Sequence, residues 1–424
     1  MTLEKLHRLY LEHPITCTDT RKITANCLFF ALKGENFNGN EFAAQALEKG
    51  ASYAIIDQKG FKASDRYILC DNVLETLQKL ASLHRSHCKV KLLALTGSNG
   101  KTTTKELIHA VLSKKYNTIA TKGNLNNHIG VPLTLLSIRE DTEMAIVEMG
   151  ANHKGEIAFL SEIARPDYGY ITNFGKAHLE GFGSLEGVIE AKSELYENLM
   201  ANAKYVFLNA DDPIQVKKLN GYVKKIGFST QDHRYFNIRF VKADPFVVLE
   251  VEGTQIETQL IGKYNFPNCC AAILMGTYFD VPLGDIKNAL EVYRPENNRS
   301  QILTIKGVEV ILDAYNANPT SMNAALENFH RLQGGDKTLI LGDMFELGGS
   351  SQQEHQALAD RAAELGFDEV LLVGKHFFGT GTHFKKFKSF EDLKEYLVKS
   401  PIEKGSLLIK GSRGMALERV LDVL

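Results

Sequence analysis

Residues 92–112, LLALTGSNGKTTTKELIHAVL, constrain the fold more than any other stretch of the chain. An apolar run breaks into a glycine turn, then a lysine and three threonines, then apolar positions at helical spacing. A strand that turns through glycines directly into a helix aims backbone N–H groups and the positive end of the helix dipole at one point, a geometry suited to phosphate. Gly97 and Gly100 permit the tight backbone. Lys101 would reach the β and γ phosphates, and Thr102 would place its hydroxyl on Mg²⁺. Leu107, Ile108, Val111 and Leu112 give the helix a face to bury. The general motif asks for glycine six residues before the lysine, but that position is Leu95, so the loop is the shorter T-G-x-x-G-K-T-T type. The plainer alternative is a glycine turn with a surface lysine.

A chain of 424 residues is too long for a single core and suggests two or three domains. Lys+Arg 49 against Asp+Glu 51 leaves a formal charge of -2, which gives no electrostatic footprint for nucleic acid or an anionic membrane. No run approaches the roughly 18 apolar residues of a membrane span. The first residues, MTLEKLHRLYLEHPITC, alternate charged and apolar side chains and lack the apolar core of a signal peptide. Cys17, Cys27, Cys70, Cys88, Cys269 and Cys270 form no C-x-x-C pair or disulfide framework, and read as reduced thiols of a cytoplasmic protein.

Three blocks emerge along the chain: 1–85, 86–298 and 299–424. The first holds two short β-like runs, NCLFFALKG and ASYAIID, around the helical EFAAQALEKG. The amphipathic NVLETLQKLASLHRSH, with Leu74, Leu77 and Leu80 at helical spacing, is placed as the linker to the second. There KLLAL, AIVEM, YGYIT and KYVFLN alternate with helical segments, which implies an α/β class with a parallel, doubly wound sheet. The stretch from YFNIRF to TQLIG breaks the rhythm and reads as an antiparallel β addition. In the third block, apolar strands in GVEVILDAYNANP, KTLILGDM, DEVLLVG and GSLLIKGSRG each end in a polar turn, as in a second, Rossmann-like sheet.

Polar residues at these strand ends carry the candidate chemistry. Glu148 closes the strand MAIVEM, where a carboxylate of a parallel sheet faces the ligand crevice and suits Mg²⁺. Its alternative is a solvated strand-end acid. Asn173 and His178 follow the next strand, with His178 either a metal ligand or a packing histidine. Lys192, in EAKSEL, read from its residues alone is a lysine on a solvated helix face. Asp313 and Tyr315 precede the dense polar turn NANP, which turn chemistry alone could explain.

Taken together and in order, TDTRKITANCLFFALKGENFNGNEFAAQAL, TGSNGKTTTKE, TKGNLNNHIGVPLTLL, EMGANHKGEI, TNFGKAHLEGFGSLEGVIEAKSEL, KYNFPNCCAAI, NRSQI, DAYNANPTSM, LGDMFELG and LIKGSRGMALE resemble the Mur ligase family of ATP-dependent amide-bond-forming enzymes. YNANP, LGDM-ELG and KGSR-M resemble its D-Ala-D-Ala-adding branch. Two details depart from the pattern. Leu312 stands before Asp313 where paired acids are common, and Lys263-Tyr264-Asn265 leads to Asn268 where the family often has H-N-x-x-N.

The resemblance implies an N-terminal uridine-nucleotide-binding domain, with Thr20, Arg21, Gly34 and Asn40 on its substrate surface. It implies ATP held by Gly97, Ser98, Asn99, Gly100, Lys101, Thr102 and Thr103, with Asn268 on adenine, Arg299 on phosphate and Asp313 on ribose. Thr102 and Glu148 would bind one Mg²⁺, and His178 and Lys192 would serve a second, with Lys192 carbamylated by CO₂. Asn124, Asn126 and Asn127 would contact the UDP-N-acetylmuramoyl-tripeptide, and Tyr315, Asn316 and Asn318 the incoming D-Ala-D-Ala. Lys101, Glu148, His178 and Lys192 would be the catalytic set. Domain closure about hinges near residues 85 and 298 is expected, in a cytoplasmic monomer.

Three rivals remain at this stage. A folylpolyglutamate synthase would lack the DTR…ALKG block, and a diamino-acid-adding ligase would carry an arginine recognition loop in place of YNANP. A P-loop switch ATPase leaves the first 85 residues unexplained.

Overall fold

The computed structural model describes residues 1–296 and 298–424. Among the described residues three larger sheets, of four, seven and six strands, follow one another along the chain. The first has four parallel strands in the order Thr16–Cys17, Leu28–Phe30, Tyr53–Ile56, Tyr67–Leu69. Both expected strands are present, and two short edge strands join them. Helix Leu3–Glu12, which the charge alternation concealed, is capped by Thr2 and buries Leu6 and Tyr10.

The helix placed as a linker spans Val73–His87. Asn72 caps it by accepting from Glu75 N at 3.0 Å. Leu77 and Leu80 are fully buried, because this helix packs on helix Leu3–Glu12 on one side and on helices Gly130–Leu135 and Glu156–Ala164 of the next unit on the other. It is shared core rather than a free connector.

The central sheet has seven parallel strands in the order Phe236–Asn237, Lys225–Ser229, Tyr205–Asn209, Tyr168–Ile171, Lys91–Thr96, Met144–Glu148, Thr118–Ala120. Lys91–Thr96 lies between Tyr168–Ile171 and Met144–Glu148, so the loops after all three strands open on the switch-point crevice. Helix Lys101–Leu112 buries Leu107, Ile108, Val111 and Leu112 against helix Phe266–Tyr278, whose Cys269 and Cys270 are fully buried free thiols. The antiparallel addition comprises Arg239–Ala243, Phe246–Val251 and Thr254–Ile261. Its first expected residues depart from that reading: Phe236–Asn237 pairs in parallel with Phe228–Ser229 and extends the large sheet.

The last sheet has six strands, in the order Gln301–Ile305, Val308–Asp313, Ser406–Lys410, Lys337–Gly342, Glu369–Val373, Lys385–Phe387. All pair in parallel except the hairpin Gln301–Ile305 with Val308–Asp313. The four strands expected from the sequence form its middle. Among the described residues no helix is long and apolar enough to cross a membrane.

Candidate active site

A cleft of about 770 Å³ opens between the central and last sheets, at the C-terminal ends of their strands. Its floor is the glycine loop. Gly97 adopts φ 146, and a Cβ there would lie 1.9 Å from Thr172 Oγ1. Gly100 adopts φ 76, and a Cβ would press on Asn268 Oδ1 at 2.8 Å. Both glycines are therefore required by conformation and by close approach. Asn173 pins the loop, accepting from Asn99 N at 3.0 Å and donating to Asn99 O at 3.0 Å. Ser98 Oγ donates to Gly175 O at 3.0 Å. Thr103 lines the cleft beside Lys101, whose Nζ sits 2.7 Å from Gly97 O. Burial pushes the Lys101 ammonium down from its usual range, with the Glu148 charge opposing.

Glu148 is 1% exposed at the end of its strand. Thr102 Oγ1 donates to its Oε2 at 3.0 Å, and Asn126 Nδ2 donates to its Oε1 at 2.8 Å. The solvated-acid alternative is excluded by that burial. Asn124 and Asn127 line the same wall, with Asn127 Oδ1 accepting from Gly130 N at 2.9 Å.

Lys192 is also 1% exposed, which overturns the solvated-face reading of its residues taken alone. Its Nζ donates to Ala151 O at 3.3 Å and lies 5.1 Å from the Phe182 ring centroid. Burial, then the charge of Lys101, holds its pKa down to about 7. The sequence carries no signal for this, because helix Leu185–Ala201 has an apolar face broad enough to take in a lysine stem.

His178 is half-buried with φ 52, a left-handed conformation. Its Nδ1 is 2.6 Å from Glu346 Oε2, close but out of line for a hydrogen bond. Glu346, itself at φ 62, belongs to the loop after strand Lys337–Gly342 and was not singled out from the sequence. An acid in a polar turn after a strand was its only signal.

The opposite wall comes from the last sheet. Arg299 stacks over Tyr315 at 3.6 Å, and Arg413 Nη1 approaches the Tyr315 hydroxyl at 3.3 Å. Arg299 Nε is buried without a hydrogen-bond partner. Asp313 accepts from Ser300 N at 3.2 Å and pairs with buried Lys410 at 2.5 Å. Lys410, another residue the sequence reading passed over, ends the apolar strand Ser406–Lys410. Its Nζ also reaches Asn316 O at 3.4 Å. Asn318 caps helix Pro319–Arg331 and sends Nδ2 across the cleft to Asn99 Oδ1 at 2.7 Å. Asn268 accepts from Thr104 Oγ1 at 3.0 Å and donates to Asn265 Oδ1 at 2.9 Å. The departure at 263–265 leaves this ladder intact: Lys263 turns to the Phe240 ring and Tyr264 bonds Ser300.

The four N-terminal candidates lie outside this cleft. Thr20 and Arg21 form a turn in which Asp19 binds the Arg21 guanidinium at 2.8 Å. Gly34 sits in the hairpin Lys33–Gly34 with Phe37–Asn38. Asn40 is buried and donates to Asn38 Oδ1 and Asp57 Oδ1, each at 2.9 Å, so it shapes that surface from beneath.

Fold and cleft together define a multidomain P-loop nucleotide-binding protein in which a second, Rossmann-like sheet closes onto the phosphate loop. The sequence matches the Mur ligase family catalytic domain over residues 15–85, the Mur ligase middle domain over 95–276 and the Mur ligase glutamate ligase domain over 298–413. The chain belongs to the Mur ligase family. It is 38% identical to the UDP-N-acetylmuramoyl-tripeptide–D-alanyl-D-alanine ligase of Bacillus subtilis, over 96% of this chain and 92% of that protein. Identity to the Escherichia coli protein of the same name is 36%, with the same coverage. A crystal structure of MurF from Acinetobacter baumannii aligns with TM-score 0.86 at 30% identity, covering 99% of this chain and 98% of that one. The MurF ligase of Thermotoga maritima in complex with ADP aligns with TM-score 0.83 at 28% identity, covering 97% of each chain.

Proposed function

We propose that this chain joins D-Ala-D-Ala to UDP-N-acetylmuramoyl-tripeptide at the expense of ATP, in the cytoplasmic stage of peptidoglycan precursor synthesis. That places it in cell-wall construction, and so in cell shape and division. One observation carries the reading: Asn318 of the YNANP turn touches Asn99 of the phosphate loop, which would bring nucleotide and incoming amine into one cleft. The relatives' names supply the substrates.

The domains in this reading are 1–85 for the uridine nucleotide, 86–298 for ATP and 299–424 for the dipeptide. Thr20, Arg21, Gly34 and Asn40 form the uridine-nucleotide surface. Loop amides and Lys101 grip the phosphates, Asn268 faces adenine, and Arg299 and Asp313 reach phosphate and ribose. The tripeptide carboxylate, steered by Asn124, Asn126 and Asn127, attacks the γ-phosphoryl group to give an acyl phosphate and ADP. The dipeptide amine, held near Tyr315, Asn316 and Asn318, then attacks the acyl carbon, and phosphate leaves through a tetrahedral intermediate. The chain contributes orientation, charge stabilisation and exclusion of water from the acyl phosphate.

The donor set fits Mg²⁺. A threonine hydroxyl and a carboxylate 3.0 Å apart are hard oxygen ligands, and the two oxygens of buried Glu148 are held by the neutral donors Thr102 and Asn126. Thr102 and Glu148 would hold one ion, and His178 with Lys192 would serve a second; such ions neutralise crowded phosphate oxygens. An amine held near pKa 7 is about half unprotonated at neutral pH, and that free-base fraction could add CO₂, which would convert Lys192 into an oxygen donor. The protein acts as a monomer in this reading.

The test is phosphate release with ATP and Mg²⁺, adding the nucleotide tripeptide and D-Ala-D-Ala separately and together. Release only with both, and a UDP-linked pentapeptide product, is expected. Release with a different amine would move the protein to another branch of the family, and steady release from ATP alone would overturn the ligase reading.

A further inference from the structure

His355 lies in helix Ser351–Leu365, just beyond the GDMFELG turn, and is fully buried. Both ring nitrogens are engaged. Met344 N donates to Nε2 at 2.9 Å, and Nδ1 lies 2.7 Å from Ser351 O. A backbone N–H can only donate and a carbonyl can only accept, so the neighbours set the tautomer: hydrogen on Nδ1, lone pair on Nε2. One residue along, Phe345 N donates to Ser412 Oγ at 2.9 Å, and Ser412 is 2% exposed. Two consecutive N–H groups of the turn thus end on buried side chains from separate elements.

The next residue is Glu346 at φ 62, a conformation that a non-glycine residue keeps only where its surroundings impose it. From there its carboxylate meets His178, and its carbonyl accepts from Glu180 N at 3.1 Å. Both contacts cross the junction between the central and last sheets.

We propose that His355 is a positioning residue of the ligation site: as a neutral imidazole accepting the Met344 N–H, it holds Glu346 in the left-handed conformation that meets His178. This rests on the ligase reading of the cleft.

The groups facing the ring agree with the neutral form. His376 stacks at 5.1 Å and disfavours a second positive charge, as does burial. Asp343 Oδ1 at 3.7 Å and Glu354 on the same helix oppose this. The Asp343 carboxylate is, however, already engaged by His376 N at 3.0 Å and Phe377 N at 2.9 Å. Burial is the largest influence, and it holds the imidazole below its ordinary range. As pH falls, a proton on Nε2 would set one N–H against another, break the Met344 bond and release Glu346.

The test compares full-length H355L and H355Q with the wild-type enzyme. The readouts are kcat and KM for ligation against pH, and backbone hydrogen exchange over residues 343–347. A glutamine amide oxygen can replace Nε2 as acceptor but does not titrate; leucine offers no acceptor. In H355L, kcat should fall about 10²-fold with KM for ATP little changed, and the turn should exchange fast. H355Q should stay within about threefold of wild type at neutral pH, exchange slowly, and lose part of the acid limb of kcat. Wild-type kcat in H355L, or an unchanged acid limb in H355Q, overturns the proposal, and the second outcome decides even if H355L fails to fold. If the wild-type enzyme makes no ligated product, the ligase reading fails on its own. Exchange then remains decisive for the loop, since slow exchange in H355L removes the role given to His355.

Discussion

The two junctions of this chain are built from different materials. At the first, fully buried Tyr10 donates to Leu136 O, and Arg139 donates to Tyr10 Oη at 3.1 Å, to Leu136 O and Ile138 O at 3.0 Å each, and to Pro14 O. His84 reaches Ile138 O at 3.0 Å and His7 at 3.2 Å, and Leu77, Leu80, Val131 and Leu135 fuse into one core beneath them. The second junction adds polar bridges to an apolar cluster that runs on through Leu179, Phe182, Met344 and Leu347. Asn318 meets Asn99, Thr320 Oγ1 accepts from Lys176 N at 3.0 Å, Lys176 pairs with Glu354 at 2.6 Å, and His178 faces Glu346 with both residues left-handed. Apolar burial is worth about 25 cal/mol per Å², whereas exposed ion pairs are worth 0–1 kcal/mol. The first junction is therefore expected to hold as a seam, against the hinge expected near residue 85, and the second to open for substrates and close for chemistry.

Breaking each side should give opposite signatures. Lys192→Met, which removes the buried amine proposed to serve the second metal ion, should cut ligation by about 10³-fold. Its thermal midpoint should hold or rise, because a buried amine is replaced by an apolar chain of similar length. Differential scanning calorimetry beside product formation checks both. Tyr10→Ala empties the seam and should cost about 3 kcal/mol in urea unfolding, with kcat of the folded fraction unchanged.

Acid should also weaken the seam. Burial holds His84 down to about 4, against 6.5 when unfolded. A depressed histidine contributes stability that is complete above pH 6.5 and is lost as pH falls toward 4. The loss should reach about 2 kcal/mol at pH 5. His84→Gln should flatten the unfolding midpoint across that window, and an unchanged slope would remove His84 from the account. The smallest effect is expected from Asn318→Ala, about tenfold in kcat, with the thermal midpoint within about 2 °C. A large stability loss there would mean that the second junction is a seam as well.

The sequence made the central sheet legible because its strands are apolar runs ending in distinctive turns, and local chemistry alone places Gly97, Gly100, Lys101 and Glu148 at one sheet edge. Helix Leu3–Glu12 was hidden because its charges mask a narrow buried face of Leu6, His7 and Tyr10. Edge strands such as Lys385–Phe387 pair through backbone and need little apolar patterning. Lys192 looked like a surface lysine and Lys410 drew no notice because burial is decided by what packs on top, and Phe182 and Asp313 come from other elements. Glu346 and His355 matter only through contacts that no spacing encodes.

The central claim is that the second junction is a closable ligation site. It is tested most directly by incubating the purified protein with ATP, Mg²⁺, UDP-N-acetylmuramoyl-tripeptide and D-Ala-D-Ala and following the UDP-linked product by mass spectrometry. The account predicts a pentapeptide product and phosphate release that depend on both acceptor and amine. Steady phosphate release from ATP alone, with no new amide, would contradict it.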